Sequence, residues 1–398
     1  MGLPQIEDLG RIVEESWRST QYSLESLPDV ARAGFARSRL LEDLTPDEII
    51  RWTLQQRSLP EQSDPTARFG QPPITLYRTE RFHIDALFWL DGTTTIHQHS
   101  FSGAFCVLAG SSIETMFRFS PERTFDGRFE MGILESFATS FHRAGYVGEI
   151  QSGRRMIHSL FHLERPSITV VIRNYSDPTA GVQFDYARPG IACDPFSFDA
   201  SRDRAIRIVR MLRSMGHPDL ERLVGDAVRD SDLHTAYLIG RELIGLRDQE
   251  SLERILAHID DSDAVDRFRL SFQKEGNERF IRSRRQIVKD VELRFFLGVL
   301  LNANNRREAF ELATAWSNDA PPEKTIAKWL RGLSNVSARL QVDGSSWEPN
   351  VLGLPPIDDR LERDLALILS ESGQNPEGSS RSVISRIRDN PSLECLWS

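Results

Sequence analysis

The chain has 398 residues, of which 27% are charged and 39% are hydrophobic, the composition of an ordinary soluble globular protein with room for two domains. Its net charge of −9 argues against nucleic acid as a main partner, because phosphate binding needs a concentrated basic surface. No apolar run approaches the ~20 residues of a membrane span, so no membrane contact is expected. An acidic N-terminus without signal-peptide features and three widely spaced cysteines predict a cytoplasmic protein.

The first 73 residues have the pattern of helices followed by a linker. Thr45 is a candidate helix N-cap, because Pro46 follows at the first helical position and acidic residues occupy the first turn. A polar, proline-containing stretch at 57–73 then interrupts the helical pattern. We therefore expect an N-terminal helical segment and linker over residues 1–73.

The remainder of the chain divides into a β-rich part and a helical part. Residues 74–190 contain short β-rich runs such as FHIDALFWL, GAFCVLAG and SITVVIRNY, which predict an antiparallel sandwich or barrel. Over residues 201–370, apolar residues recur at three- and four-residue intervals and predict an all-α domain. We expect residues 371–398 to form a loosely ordered tail. The predicted fold class is α+β.

The stretch GTTTIHQHSFSGAFCVLAG, residues 92–110, carries the strongest chemical signal in the chain. Side chains alternate between the two faces of a strand, so His97 and His99 project from the same face. Two neighbouring imidazoles make half of a metal site. His158, in the later β-rich run RMIHSLFHL, is the candidate third ligand.

Other polar residues of the β-rich part receive weaker assignments. His83 is expected on the polar face of its strand, and His142 is expected in a loop. Glu114, in SSIETMF, is expected to be a strand residue that faces solvent. Glu149 and Glu164 flank the strand that contains His158 and would complete the shell of a metal only in a different strand register.

The two histidine-containing stretches resemble the two sequence motifs of the cupin superfamily. The first cupin motif has HxH followed by a short spacer, a glutamate and a glycine that closes a hairpin, and RMIHSLFHL is similar to the second motif, which supplies the third histidine. With Gly110 as the closing glycine, the place of the glutamate falls at Gly103. The resemblance implies a cupin-type antiparallel β-barrel, or jelly roll, whose metal site has three neutral imidazoles and no carboxylate ligand.

Loss of that glutamate is also a feature of cysteine dioxygenase and related thiol dioxygenases, and two further positions are similar. Tyr175, in YSDP, follows His158 by seventeen residues, as a tyrosine does in that family. Arg78, in LYRTE, is similar in position to the family's arginine that pairs with a substrate carboxylate, and Arg81 competes with it. His162 replaces an asparagine of the second motif and either orients a metal ligand from behind or faces away as a plain strand residue.

This resemblance implies a non-heme Fe(II) oxygenase of the cysteine dioxygenase-like type, which oxidises a small metal-chelating substrate with O2. The substrate would be a thiol or amino-acid-like molecule with a carboxylate, or a residue of a larger substrate. Arg78 would hold the carboxylate through paired hydrogen bonds, and Tyr175 would donate a hydrogen bond beside the metal.

Two alternatives to an oxygenase remain open at this point. One is a non-enzymatic metal cupin that serves as a ligand-binding or regulatory module. The other is a metal-dependent isomerase or lyase. The helical domain would close the mouth of the active site, form a homodimer, or dock a protein or peptide substrate.

Overall fold

The computed structural model of the protein describes residues 2–38, 40–62, 70–90, 94–244, 249–317, 319–337, 350–370 and 380–398. In these ranges the strands occupy the middle of the chain and the helices occupy both ends. The strands are β1 (Pro73–Arg78), β2 (Phe82–Trp89), β3 (Ile96–His99), β4 (Gly103–Ala109), β5 (Ser111–Thr124), β6 (Phe129–Arg143), β7 (Val147–Ile150), β8 (Gly153–His162), β9 (Ser167–Asn174), β10 (Asp185–Ala187) and β11 (Ile191–Cys193).

Helices precede and follow the strands. They are α1 (Pro4–Ser19), α2 (Leu27–Arg37), α3 (Leu40–Asp43), α4 (Pro46–Gln55), α5 (Ala200–Met215), α6 (Leu220–Arg229), α7 (Leu233–Leu243), α8 (Gln249–Leu256), α9 (Ser262–Arg284), α10 (Val291–Asn302), α11 (Arg306–Trp316), α12 (Pro322–Ser334), α13 (Asp359–Leu369) and α14 (Ser380–Arg388), with short 3-10 helices at Leu24–Ser26 and Pro391–Leu396. The predicted cap of α4 is confirmed, because Thr45 and Glu48 form a reciprocal capping box. Within the described ranges, no helix is both long enough and apolar enough to cross a bilayer.

The strands form two antiparallel sheets that enclose a common interior. Six strands close into a ring in the order β10-β11-β6-β5-β8-β3, because β3 pairs back with β10. The other five form a sheet in the order β1-β2-β9-β4-β7. Apolar side chains from both sheets, among them Phe105, Val171 and Met156, form one cluster between them. This arrangement confirms the predicted fold class, α+β with an antiparallel β-barrel between N-terminal and C-terminal helices.

Helices cover the outer faces of the barrel strands. Residues of α1 and α2 share a buried cluster with Ile84 and Ala86 of β2. On the six-stranded side, α10 lies so close that a Cβ on Gly298 would be 2.8 Å from Ile113 Cδ1 and 3.0 Å from Phe161 Cδ1. Because the outward-facing side chains are also buried, the strands lack the simple alternation of apolar and polar residues that a half-exposed sheet shows.

Two regions differ from the sequence-based expectations. His142 is not a loop residue, because it belongs to β6, which the sequence patterns did not indicate. Residues 380–398, expected as part of a loosely ordered tail, form α14 and a 3-10 helix, and Leu393 and Leu396 are fully buried in the C-terminal core. These apolar side chains give the end of the chain a packing surface. Residues 371–379 lie outside the described ranges, and the predicted domain boundaries stay predictions.

The contact between α10 and the barrel yields a stability prediction. Phe161 is fully buried in the cluster that joins β8 to α10, so Phe161→Ala should lower the free energy of unfolding by roughly 3–5 kcal/mol. Phe198→Ala is the matched control, because that ring is 79% exposed and its loss should change stability by less than about 0.5 kcal/mol. Urea denaturation of the metal-free proteins measures both values. Equal stability of the two variants would contradict this packing.

Candidate metal centre

Pairing of β3 with β8 brings the three predicted metal ligands together. His97 lies directly opposite His158, and a register shift after Gln98 places His99 opposite Gly153. All three imidazoles are buried, and their potential ligand atoms lie within 4.8 Å of one another. His99 Nε2 lies 3.0 Å from His158 Nε2.

Hydrogen-bond acceptors behind two of the rings determine which nitrogen holds the proton. His97 Nδ1 is 2.8 Å from the carbonyl oxygen of Thr95, which can only accept. His158 Nδ1 is 2.6 Å from Glu114 Oε1, an acceptor when the carboxylate is ionised. Nδ1 therefore donates in both histidines, and Nε2 keeps its lone pair for a metal ion.

Glu114 is not the solvent-facing residue that its sequence context predicted. It is buried on β5, on the same side as His158 of the neighbouring strand. Its second oxygen, Oε2, is 2.9 Å from His142 Nε2, and the His142 ring stacks on Tyr146 with 3.5 Å between ring centroids. A buried carboxylate needs such donors, because burial without them is costly.

The buried environment determines the charges of these groups. Burial, with a smaller effect from His158, lowers the pKa of His97 to about 3, and burial also holds the pKa of His99 well below its usual range. Burial alone would raise the pKa of Glu114, but hydrogen bonds from His142 and His158 outweigh it and lower the pKa to about 2. Near neutral pH, His97 and His99 are therefore neutral ligands, and Glu114 carries its negative charge.

The donor chemistry of the three imidazoles suits a first-row transition metal. Metal–imidazole bonds of about 2.0–2.1 Å place two ligand nitrogens at right angles about 2.8–3.0 Å apart. The separation of His99 Nε2 from His158 Nε2 is 3.0 Å. Imidazole donors suit iron, copper, nickel and zinc rather than magnesium or calcium. His97, His99 and His158 are thus the residues that would hold such an ion.

Packing explains why position 103 holds a glycine and not a carboxylate ligand. Gly103 begins β4 and pairs with β9, where a Cβ at this position would lie 1.9 Å from the carbonyl oxygen of Ile172. A glutamate side chain therefore has no space there. The departure from the common cupin motif matches the close approach of these two strands.

Arg78 and Tyr175 lie together, and the ring of Tyr175 is 5.0 Å from that of His83. They line a shallow depression of about 440 Å³ together with Thr79 and Glu80. The Tyr175 hydroxyl donates to the carbonyl oxygen of Thr79 at 2.6 Å, and the Arg78 guanidinium lies 5.2 Å from the Tyr175 ring centre. Arg81, the competing arginine, lies over the ring of Tyr22 instead. The roles predicted for Arg78 and Tyr175 stay predictions.

Sequence reasoning missed a charged group nearer to the histidines. Arg173, on β9, pairs with Asp85 at 3.0 Å and lies 4.9 Å from the ring centre of Phe101. That ring is in turn 4.7 Å from the ring centre of His99. His83 lies on the face of β2 that it shares with Asp85, where both are buried, and its Nε2 lies 3.2 Å from Asp85 Oδ2. The alternation of His83 and Asp85 along β2 was the signal that could have indicated this interior cluster.

The remaining sequence candidates have other surroundings. The ring of His162 stacks on Trp89 with 4.5 Å between ring centres, and its buried Nε2 has no hydrogen-bond partner among the described residues. Glu114, and not His162, contacts the Nδ1 atom of a ligand. Glu149 pairs with Arg32 at 2.7 Å, and Glu164 accepts hydrogen bonds at the start of β5. In this register neither glutamate belongs to the cluster of three histidines.

Comparison with known proteins gives structural neighbours only. No protein-family model and no curated protein matches the chain. Hydroquinone 1,2-dioxygenase PnpCD, solved with Cd2+ and 4-hydroxybenzonitrile, is similar at 9% identity and TM-score 0.20, over 26% of this chain and 63% of its own length. A cupin-2 domain containing protein from Shewanella frigidimarina is similar at 10% identity and TM-score 0.19, over 34% of this chain and 96% of its own. An oxalate oxidase is similar at 17% identity and TM-score 0.22, over 39% of this chain and 74% of its own length. At TM-scores of about 0.2 these likenesses support no conclusion about this chain.

The close approach at Gly103 can be tested by adding a single methyl group. Gly103→Ala should lower the free energy of unfolding by more than the roughly 1–3 kcal/mol of an ordinary overpacked site, because the clash is with backbone. Gly276→Ala, on α9, is the control, because its nearest contact would be an ordinary 3.5 Å. Urea denaturation measures both, and a Gly103→Ala variant as stable as the parent would refute the close packing.

The stacked His162 ring predicts a pH dependence of stability. Burial lowers its pKa from an ordinary 6.5 to about 3, so between these values the unfolded chain binds a proton that the folded chain does not. The free energy of unfolding should therefore fall as pH decreases from 6.5 towards 3, by about 1.4 kcal/mol per pH unit from this group. His162→Phe keeps a ring against Trp89 and should make the slope shallower by that amount. Denaturant titrations of metal-free protein between pH 6.5 and 4.5 measure the slopes, and identical slopes would contradict the burial of a neutral imidazole.

Proposed function

We propose that this protein is a metal-dependent oxygenase that binds Fe(II) through His97, His99 and His158 and oxidises a small substrate with O2. The observation that supports the proposal best is the convergence of three buried imidazoles, two of which have their proton held on Nδ1 by acceptors behind the ring. Bound Fe(II) would supply the redox centre and the template on which a chelating substrate and O2 meet.

The neutral donors favour an anionic substrate. His97 and His99 are neutral near pH 7 and contribute no charge to the metal site. Three imidazoles leave the double positive charge of Fe(II) without a ligand carboxylate, so a thiol group would lose its proton on coordination. A thiol or amino-acid-like substrate that chelates the metal is the class we propose, in line with the resemblance to thiol dioxygenases.

Apolar side chains surround the ligands and would exclude water from the reaction. Phe101 contacts the His99 ring, and Met116 lies opposite His158 in the pairing of β5 with β8. Both side chains belong to the apolar cluster between the sheets. In such an environment, electrostatic interactions between substrate and protein are stronger than in water.

Two arginine positions would recognise the substrate carboxylate. Arg173 lies against Phe101 beside His99. Its guanidinium would bind the carboxylate of the substrate while it remains paired with Asp85. Arg78 and Tyr175 line the outer depression, where they would hold an anionic molecule that approaches the barrel. We propose Arg173 as the inner carboxylate site, with Arg78 and Tyr175 as the outer one.

Metal binding is the first prediction of this proposal. Protein loaded with Fe(II) under anaerobic conditions should hold about one iron per chain, whereas His99→Ala should lose it, because two imidazoles bind far more weakly than three. His217→Ala, in the segment between α5 and α6, is the control and should bind like the parent. Elemental analysis after gel filtration measures the content. A preference for zinc or nickel would favour a non-oxygenase metal cupin, and absence of bound metal would refute the site.

Substrate class is the second prediction. Iron-loaded protein should consume O2 with small thiols, and Arg173→Gln should raise KM more than tenfold for thiols with a carboxylate but not for thiols without one. Arg78→Gln should have a smaller effect of the same sign. Oxygen-electrode measurements with matched thiols provide the comparison. Iron binding without O2 uptake for any thiol would contradict the proposed reaction and leave the metal site intact.

A further inference from the structure

Glu114 lies one hydrogen bond behind the proposed metal ligand His158. Both carboxylate oxygens are used, since Oε1 faces His158 Nδ1 at 2.6 Å and Oε2 faces His142 Nε2 at 2.9 Å. The Glu114 side chain is only 6% exposed. A buried carboxylate held between two imidazoles is costly to place, so its position calls for a specific explanation.

The surroundings of His142 hold this arrangement in place. His142 Nε2 is also 3.1 Å from the hydroxyl of Ser140, and the ring stacks face to face on Tyr146. Ser140 lies opposite Glu114 in the pairing of β5 with β6. The chain of contacts therefore runs from His158 through Glu114 and His142 to the turn after β6, and each member is fixed by strand pairing or by ring stacking.

We propose that Glu114 compensates for the ligand glutamate of the common cupin motif. From behind His158 it supplies a negative charge and orients the His158 imidazole, and His142 holds Glu114 in that position. This inference rests on the proposed metal site. At Gly103, where the ligand glutamate would stand, the backbone of Ile172 leaves no room for a side chain. Glu114 is a positioning residue here, because it acts on a metal only through the imidazole of His158.

The physical effect follows from the hydrogen bond. A carboxylate that accepts the Nδ1 proton increases electron density at Nε2, so the imidazole becomes a stronger donor and is fixed in one tautomer and orientation. Loss of this partner from a metal-bound histidine typically weakens metal binding by about 10–100-fold. Because the ligand itself remains, the metal should still bind, but with lower affinity and a changed ligand field.

Cobalt(II) binding to Glu114→Gln tests the proposal. The glutamine keeps the size of the side chain but removes its charge, so Co(II) affinity in competition with a chelator should fall by about 10–100-fold. At saturating Co(II), the visible absorption bands should shift from those of the parent. His142→Gln should change both quantities in the same direction, by less.

Glu130→Gln is the matched control. Glu130 is another buried carboxylate of the six-stranded ring, but its partner is Arg154 and not a metal ligand. Its substitution should leave Co(II) affinity and spectrum as in the parent. Parent-like affinity and spectrum in Glu114→Gln, or equal losses in both variants, would overturn the role of Glu114. Failure of the parent to bind Co(II) would instead overturn the metal site itself.

A measurement on the parent protein decides the matter if Glu114→Gln does not fold. In metal-free protein with 15N-labelled histidine, His158 should hold a proton on Nδ1, as the contact with Glu114 requires. A His158 ring with its proton on Nε2 would overturn the proposal.

Discussion

The pairing of β3 with β8 is the constraint on which the candidate metal centre depends. It places His97 opposite His158 and, through a register shift, aims His99 at the same point. Gln98, between the two histidines, accepts a hydrogen bond from the Tyr186 hydroxyl and donates one to the carbonyl oxygen of Val182. If β3 slipped by one residue, Gln98 would point into the interior and the two histidines would point away from it. The hydrogen bonds of Gln98 would also break, so the register is strongly specified.

The helices that pack on the outer faces of the barrel also affect the site. Because α10 buries Ile113 and Phe161 outside the ring, the opposite faces of β5 and β8 are left for the interior. The two carboxylates of that interior have partners close by, as Glu114 has in two histidines and Asp85 has in Arg173. Fold and site are thus linked, since the helices that stabilise the barrel also isolate its polar interior from water.

The sequence pointed to the three candidate ligands, which the structure brings together, but not to the residues behind them, for a physical reason. The HxH spacing and the second histidine motif lie within single strands, where alternation alone determines which side chains share a face. The orientation of Glu114 could not be obtained in this way, because Ile113 and Thr115 beside it point to buried surroundings as well. β6 was missed because many of its residues are serine, threonine or charged, and pairing with β5 forms the strand. The role of Arg173 could not be predicted without knowing which strands are neighbours of β9.

X-ray absorption spectroscopy of the Fe(II)-loaded protein tests the central claim most directly. The account predicts three imidazole ligands at the roughly 2.0–2.1 Å of metal–nitrogen bonds, with light-atom donors from solvent in the other positions. In His158→Ala the imidazole contribution should fall to two rings. Fewer than three imidazoles in the parent, or a spectrum that His158→Ala leaves unchanged, would contradict the three-histidine centre.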